Sequence, residues 1–507
     1  MDFITYQFDS AEQFYAELND LLQEGGFHES PESQVNLFIS LIVQYQDEFM
    51  DSSMQDLTRC CYRLFDSDLF QTNMLSISDA IIDRAIQSQS EEDMWISYHV
   101  LYYAGKEFPK IYEWMLKSEF FAKLKYQIMQ TEGTRLQALA VSTMFEMCRA
   151  QPLNARDLAL ADEDFLHYLL DLVERTRKDA DEELNYGTIQ LILAFNEQYM
   201  VQQQTARAVS NYTPSNLLLS ALADRPGASS TFGENLIFML NRSEEASLQT
   251  LILKLLYLFF TSHRTQLNEF FYTNDLHVLM DVMIRELWDL PEEQEQLRHM
   301  YLRVLGPLLT RTQLRREHTT YKRAEILRVL GQLGGSDLNE ELKQYIWEQE
   351  QLEHGQEMNR LHSEGRRLTY RDRQSSNPAR YQLPSPLSST SSFSSNSSTA
   401  SPRLASRTSA VDDSTPSDRR PSLSVGSNSN GSNGNGHDTD SEFARSRSNS
   451  STNLHGYLST PPMRPVSQSN QTTQRLVERV LRDWLVADLG QNQTVSGDQR
   501  IHVQLAQ

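Results

Sequence analysis

The sequence predicts an all-α protein, an armadillo- or HEAT-like helical solenoid followed by a long disordered tail. Through the first 362 residues, apolar side chains recur at steps of three and four, which is the spacing of one face of a helix. Almost no segment shows the alternating β-branched pattern of a strand. Residues 363–472 are dominated by Ser, Asn, Pro, Thr and Arg, with too few large apolar residues to offset the entropy lost on ordering.

A solenoid is favoured over a globular bundle because the helical part is long and carries no strand signal. No fixed-period repeat is visible, but degenerate armadillo and HEAT units often lack one. Residues 1–210 form the predicted N-terminal lobe, with apolar stripes that we interpret as core packing. Its main helices are expected at 11–23, 35–49, 57–69, 77–86, 94–103, 134–149, 165–173 and 189–199. Pro214, Pro226 and Gly227 indicate an internal break at residues 211–231.

The leucine-rich lobe, residues 232–362, is organised around an apolar run at 248–260. Leu251, Leu255 and Phe259 keep one helical stripe, and their neighbours extend it almost all round, so other helices must cover every side. The run is shorter than the roughly 20 apolar residues of a membrane span, so membrane insertion is not expected. Asp275 can cap the next helix, and Pro291 suits the first turn of the one after it.

Short motifs along this lobe carry a family resemblance. They are Phe232-Gly233-Glu234-Asn235, Leu253-Lys254-Leu255-Leu256-Tyr257, Phe271-Tyr272-Thr273-Asn274-Asp275-Leu276, Arg285-Glu286-Leu287 and Tyr301-Leu302-Arg303-Val304-Leu305. Their succession resembles the leucine-rich domain of the WISH/DIP/SPIN family over residues 232–333, with a weaker match from Tyr186. The chain looks more like the fungal members, because Met1 leads directly into helices where the animal members carry an SH3 domain.

The resemblance implies both a fold and an activity. The family core is an armadillo-like solenoid, and its members activate the actin-related protein 2/3 complex. The implied function is nucleation of unbranched actin filaments without a preformed mother filament, which seeds branched networks at endocytic patches. Without the resemblance, the residues indicate only a protein-binding helical domain. The alternative hypothesis is therefore a HEAT- or armadillo-type adaptor with no role in nucleation.

Composition narrows the classes of partner. The chain holds 68 Asp and Glu against 46 Lys and Arg, a formal net charge of −22, and most of the acid lies in the helical part. Binding to nucleic acid is not expected, because phosphate contacts need clustered basic residues. Cys60, Cys61 and Cys148 have no metal-ligand or redox spacing, which indicates free thiols in a reducing compartment. A cytosolic location is expected, and the resemblance narrows it to cortical actin patches.

Catalytic motifs are not found in the sequence. It contains no GxxxxGK, GxGxxG, GxSxG or HExxH pattern and no paired-cysteine motif. The 12 histidines are scattered, and acidic pairs fit solvated helix faces. We therefore expect no enzyme, no catalytic residue, no metal and no cofactor.

A basic cluster stands out within the acidic domain. It consists of Arg311, Arg315, Arg316, Lys322 and Arg323, in the link between two helices of the leucine-rich lobe. One interpretation is compensation of a helix C-terminal dipole together with surface ion pairs. The other is a contact for an acidic protein surface, because arginine forms bidentate pairs with carboxylates.

The predicted tail carries short recognition signals. Pro462 and Pro465 form a minimal PxxP, which an SH3 domain could bind, although an unstructured spacer is the simpler interpretation. Proline-directed or basophilic kinase patterns mark six candidate phosphorylation sites. These are Ser385, Ser401, Thr415, Ser422, Ser448 and Thr460.

An amphipathic helix is predicted after the tail at residues 473–489, followed by a disordered C-terminus at 490–507. Its apolar stripe consists of Leu476, Val480, Leu481, Trp484 and Leu485, with Val477 beside them. Arg475, Arg479 and Arg482 lie on the other face. The helix has no core of its own, so it either docks back on the solenoid or enters a groove of a partner.

Overall fold

The computed structural model describes residues 7–23, 30–50, 54–178, 182–209, 214–225, 227–315, 321–335, part of 340–351, and 466–495. The regular structure of these residues is helical throughout, which confirms the predicted all-α class. Residues 352–465, which include most of the predicted tail, lie outside the described ranges. The six candidate phosphorylation sites, Pro462, Pro465 and the predicted C-terminus at 496–507 lie outside them too.

Up to Gly334 the helices follow one another with short connections, and the last helix comes after a long interval of sequence. In order they are α1 (Ala11–Asp20), α2 (Pro31–Phe49), α3 (Gln55–Phe65), α4 (Asp68–Gln87), α5 (Glu91–Glu107), α6 (Lys110–Lys117), α7 (Phe120–Gln130), α8 (Arg135–Ala150), α9 (Ala155–Leu158), α10 (Glu163–Arg175), α11 (Glu182–Val209), α12 (Leu217–Ala223), α13 (Ser230–Arg242), α14 (Ala246–Thr261), α15 (Thr265–Asn268), α16 (Thr273–Asp289), α17 (Glu295–Arg311), α18 (Arg323–Gly334) and α19 (Val466–Val495). Leu342 and Ile346 are also buried helical residues.

Short polar side chains fix several helix starts. Ser30 accepts a hydrogen bond from the backbone of Ser33 and is followed by Pro31 in the first turn of α2. Thr134 and Asp162 accept in the same way at the starts of α8 and α10. Each of these oxygens pairs with a backbone N–H that has no partner within its helix. Local sequence therefore sets where these helices begin.

Two rows of helices build the solenoid. In the first row, α2, α5, α8, α11, α14 and α17 pack each against the next, so that every third helix repeats the position. A second row runs beside it through α4, α7, α10, α13, α16 and α18. This three-helix period is the arrangement of armadillo-type repeats, in which each repeat contacts mainly its neighbours. The C-terminal helix α19 packs on α17 and so takes the next place in the first row.

The apolar run at 248–260 forms α14, in the middle of the first row. Leu251, Leu255, Leu256 and Phe259 are buried, as expected for a helix covered by neighbours on most sides. Lys254, the one charge in the run, donates to Glu197 of α11 at 2.7 Å. No described helix is long and apolar enough to cross a membrane.

The stretch predicted as an internal break contains a helix. Leu218 and Leu222 of α12 are buried, and α12 packs against α10, α11 and α15. Asn216 starts α12 by accepting from the backbone of Leu219, and its side chain also donates to Asn196 of α11 at 2.8 Å. The segment between Pro214 and Gly227 therefore contains a helix of the solenoid and is not a linker, because its leucines belong to the core.

We expect Gly105→Ala to destabilise the protein by several kcal/mol. A methyl group at Gly105 would lie 2.1 Å from the ring of Tyr112, which is buried between α5 and α6, so the core must shift. Gly187→Ala is the matched control, because its nearest neighbour, Val141, lies at an ordinary 3.6 Å. That change should be neutral or stabilising by up to about 1 kcal/mol. Thermal unfolding of both variants checks this, and equal stability would contradict the close approach.

Candidate functional site

The start of α13 is held in place by the helices before it. Glu174 of α10 accepts from the backbone N–H groups of Thr231 and Phe232 at 3.3 and 3.2 Å. Asn235 donates to Asn185 of α11 at 2.7 Å. Gly233 leaves room for Phe270, whose ring would lie 2.9 Å from an added methyl group. The Phe232-Gly233-Glu234-Asn235 motif is thus a packing motif that orients α13.

The orientation of α13 and α16 presents an exposed surface of aromatic and arginine side chains. We name it the aromatic face, and it consists of Tyr186, Phe238, Arg242, Arg285 and Trp288. Phe238 is 38% exposed and stacks on Tyr186 with ring centroids 6.1 Å apart. Arg242 lies over the ring of Phe238 at 4.7 Å. Trp288 is 40% exposed near the end of α16.

Arg285 joins the two helices of the aromatic face. It donates to the side chain of Asn241 at 2.6 Å and to the Asn241 carbonyl at 3.2 Å. Phe238 lies three residues before Asn241, and Trp288 lies three residues after Arg285. Because residues three apart are neighbours on a helix surface, both rings flank this bridge. Aromatic residues and arginine are the residue types enriched where proteins bind one another, and Phe238, Trp288 and Arg285 are exposed here.

Asp281 of α16 extends the same exposed stripe toward α18. Tyr321 donates to Asp281 at 2.9 Å, and Lys322 pairs with it at 3.0 Å. His277 stacks on the ring of Tyr321 with centroids 4.0 Å apart. The hydrogen bond and charge of Asp281 raise the pKa of Lys322, so this lysine keeps its charge. Lys322 has a positive φ of 50°, which places it at the tight turn into α18.

The predicted basic cluster is distributed over several contacts. Lys322 is tied to Asp281 and Glu325, and Arg323 lies over the ring of Trp484 at 4.6 Å. Arg311 is exposed at the end of α17, and Arg315 is exposed in the 3-10 turn Gln313–Arg315. Arg316 lies outside the described residues. Both sequence interpretations of the cluster stay predictions, although Lys322 and Arg323 are among the members that already have intramolecular contacts.

The amphipathic helix predicted at 473–489 is α19, which begins earlier and ends later, at Val466 and Val495. It docks on the solenoid of its own chain, which was one of the two alternatives. Val480, Leu481 and Trp484 are buried, while Leu476 and Leu485 are half-buried at the margin.

Helix α19 runs in the same direction as α17. Thr473 donates to Glu295 and lies 2.8 Å from Nε2 of His299, near the start of α17. Val480, seven residues or about two helical turns after Thr473, lies against Gly306 of α17. A methyl group added at Gly306 would lie 3.6 Å from the side chain of Val480. This is an ordinary van der Waals distance, so Val480 packs beside Gly306 without needing the missing side chain.

Three buried cysteines and a small cavity lie among the described residues. Among them there is no group of three or more His, Cys, Asp or Glu side chains that could hold a metal ion. Burial raises the pKa of the Cys60 thiol to about 12 and raises the pKa values of Cys61 and Cys148 as well, so these thiols stay protonated. A cavity of about 20 Å³ beside Ser229, Gly233 and Phe270 has room for about one water molecule.

Sequence reasoning did not single out the aromatic face. It assigned apolar residues at helical spacing to the core, and most of them are there. The sequence did contain a signal for this face, which is the position of its rings on their helices. Phe238 and Trp288 fall outside the buried stripes, which run through Leu236, Leu240 and Leu287. Several exposed aromatic residues close together, rather than one alone, indicate a surface contact.

Comparisons with known proteins place this surface in a family domain. Residues 181–326 match the family model described as the SPIN90/Ldb17 leucine-rich domain. Protein dip1 of Schizosaccharomyces pombe is 28% identical over 319 residues, which is 62% of this chain and 84% of that protein. Protein LDB17 of Saccharomyces cerevisiae is 33% identical over 209 residues, 41% of this chain and 40% of LDB17. LDB17 of Eremothecium gossypii is 31% identical over 207 residues, 41% of this chain and 43% of that protein.

The family match confirms the resemblance read from the motifs, and it starts at residue 181, close to the predicted Tyr186. A superposition on a crystal structure of an engineered protein has a TM-score of 0.28 at 12% identity, over 67% of this chain and 95% of that one, which is too low to indicate a shared fold. Residues 181–326 thus match the SPIN90/Ldb17 leucine-rich domain, and the chain is similar to fungal Dip1 and LDB17.

Proposed function

We propose that this protein activates the actin-related protein 2/3 complex and nucleates unbranched filaments without a preformed mother filament. The aromatic face carries the proposal, because it is an exposed set of interface-type residues inside the family-matched segment. The activity itself comes from the family resemblance in the leucine-rich motifs. Seeding of branched networks at endocytic actin patches, and binding of SH3-domain proteins through Pro462 and Pro465, are parts of the same proposal.

The mechanism is a shift of conformational populations. A partner with an inactive and an active arrangement moves toward the active one only if the activator binds that arrangement more tightly. Moving a population from one in a hundred to ninety-nine in a hundred takes about 5.5 kcal/mol of differential binding. A rigid, exposed surface suits this role, because its residues lose little freedom on binding. Phe238 is held by stacking on Tyr186 and by Arg242, and the Arg285–Asn241 hydrogen bond joins α16, which carries Trp288, to α13.

The test is actin polymerisation with the full chain and the purified complex, without preformed filaments, imaged filament by filament. We expect unbranched filaments to appear faster than with the complex alone. The full chain is used because a piece ending at residue 361 would lack α19, which is part of the solenoid. A chain that binds the complex but leaves nucleation unchanged would favour the adaptor hypothesis, and a chain that does neither would remove the proposal.

A further inference from the structure

Helix α19 has a second face that its docking leaves exposed. Arg475, Arg479, Arg482 and Val486 lie within about 60° of one another around the helix, at 100° per residue. The buried residues Val477, Val480 and Trp484 occupy the opposite side. Arg479 and Val486 are largely exposed, at 77% of the side chain and 66% of the residue. We name Arg475, Arg479 and Arg482 the arginine face.

The arginine face differs from other surface arginines of the chain in its ion pairing. Arg59, Arg149 and Arg156 each pair with a carboxylate of the domain at 2.8 to 2.9 Å. On the arginine face, Arg479 has only Asp483 at 3.8 Å. Arg475 and Arg482 form no ion pair within the part of the chain that the structure describes.

The neighbouring helices add to this excess of positive charge. Arg311 of α17 and Arg328 of α18 are exposed and, among the described residues, also form no ion pair. All of them belong to the last described repeat of a chain whose net charge is −22. A terminal repeat needs a polar outer face, but mixed charges serve that purpose equally well. Exposed arginines around an exposed valine, with one long ion pair among them and the described residues around them, are instead typical of a surface that pairs with carboxylates.

We propose that the arginine face binds an acidic segment of a partner protein, with Val486 contacting an apolar side chain of that segment. This surface is separate from the aromatic face and does not depend on the proposed nucleation activity. Charge complementarity favours an acidic segment at the arginine face, because the acidic remainder of the chain repels such a segment from its other surfaces. An anionic membrane fits less well, since the apolar side of α19 is already buried and three basic residues give only about 1 kcal/mol each.

The test measures binding of a fluorescein-labelled peptide, about twelve Glu and Asp residues around one Leu, to the full chain by anisotropy. The variant is R475E/R479E/R482E, which leaves the buried side of α19 unchanged. R156E/R177E/R207E is the matched control, because it changes the net charge equally at exposed positions elsewhere. We expect the first variant to weaken binding at least about tenfold and the control to bind within about twofold of wild type. Unchanged thermal unfolding of both variants verifies folding.

Three outcomes would overturn the proposal. The first is that the wild-type chain does not bind the peptide, and the second is that R475E/R479E/R482E binds it as well as wild type. The third is an equal loss of peptide binding in both triple variants, which would indicate an effect of net charge alone. A parallel measurement uses vesicles containing phosphatidylserine. Arginine-dependent binding to the vesicles without binding to the peptide would assign the face to a membrane and would also overturn it.

Discussion

Deletion of residues 466–495 is expected to destabilise the C-terminal end of the solenoid by more than about 4 kcal/mol. Helix α19 buries Val477, Val480, Leu481 and Trp484 against α17 and α18, and each fully buried side chain of this kind contributes about 1.5–3 kcal/mol. Its loss exposes the apolar surface of α17 and α18 to water. Hydrogen exchange should show faster exchange in α17 and α18, with α2 to α8 unchanged, and thermal unfolding should begin at a lower temperature.

Two single substitutions test whether packing of the docked side of α19, rather than the helical propensity of its sequence, stabilises this end of the solenoid. Leu481 is fully buried and Val486 is 66% exposed, so both can be changed to the same residue in the same helix. We expect Leu481→Asp to reproduce most of the deletion, because it buries an unpaired charge, and Val486→Asp to stay within about 0.5 kcal/mol of wild type. Adding a peptide of residues 466–495 to the deleted chain should restore protection. Equal exchange in all these proteins would show that α19 does not dock.

Sequence patterning predicted the existence of α19 but left its location open. The stripe from Leu476 to Leu485 requires an apolar groove, and the sequence gives no direct sign of which groove. The groove is defined by the three-helix period, which leaves a place beside α17, and by the surface of α17 around Gly306, against which Val480 packs. Both features become visible only when residues far apart in the chain are in contact. Local periodicity carries no information on such contacts.

The fold class and most helices could be predicted from the sequence because the signals for them are local. Apolar spacing and capping residues are local, so stripes such as Phe14 and Leu18 gave α1 directly, and Thr134 marked the start of α8. The Phe232-Gly233-Glu234-Asn235 motif identified the family, yet its role in orienting α13 depends on Glu174 and Asn185 of earlier helices. The aromatic face also depends on contacts between distant parts of the chain, because it exists only when α11, α13 and α16 are packed together.

Changing Phe238 and Trp288 of the aromatic face should abolish the proposed activation of the actin-related protein 2/3 complex without unfolding the chain. In protein interfaces, truncating a central aromatic anchor to alanine typically costs about 2 kcal/mol or more, so Phe238→Ala with Trp288→Ala should weaken binding to the actin-related protein 2/3 complex by at least about 100-fold. Stability should change little, because both rings are about 40% exposed in the free protein. Affinity is measured by pull-down with increasing concentrations of the complex, and nucleation by filament imaging.

Tyr126→Ala with Leu75→Ala is the matched control for this double variant. These side chains are 60% and 52% exposed on α7 and α4, so the control removes a similar exposed apolar area far along the chain from the family-matched segment. Loss of binding in F238A/W288A with wild-type behaviour in the control assigns the contact to the aromatic face. Wild-type binding by F238A/W288A, combined with active nucleation by the unmodified chain, would place the contact on another surface. The position of Phe238 would then be explained by its contacts with Tyr186 and Arg242 alone.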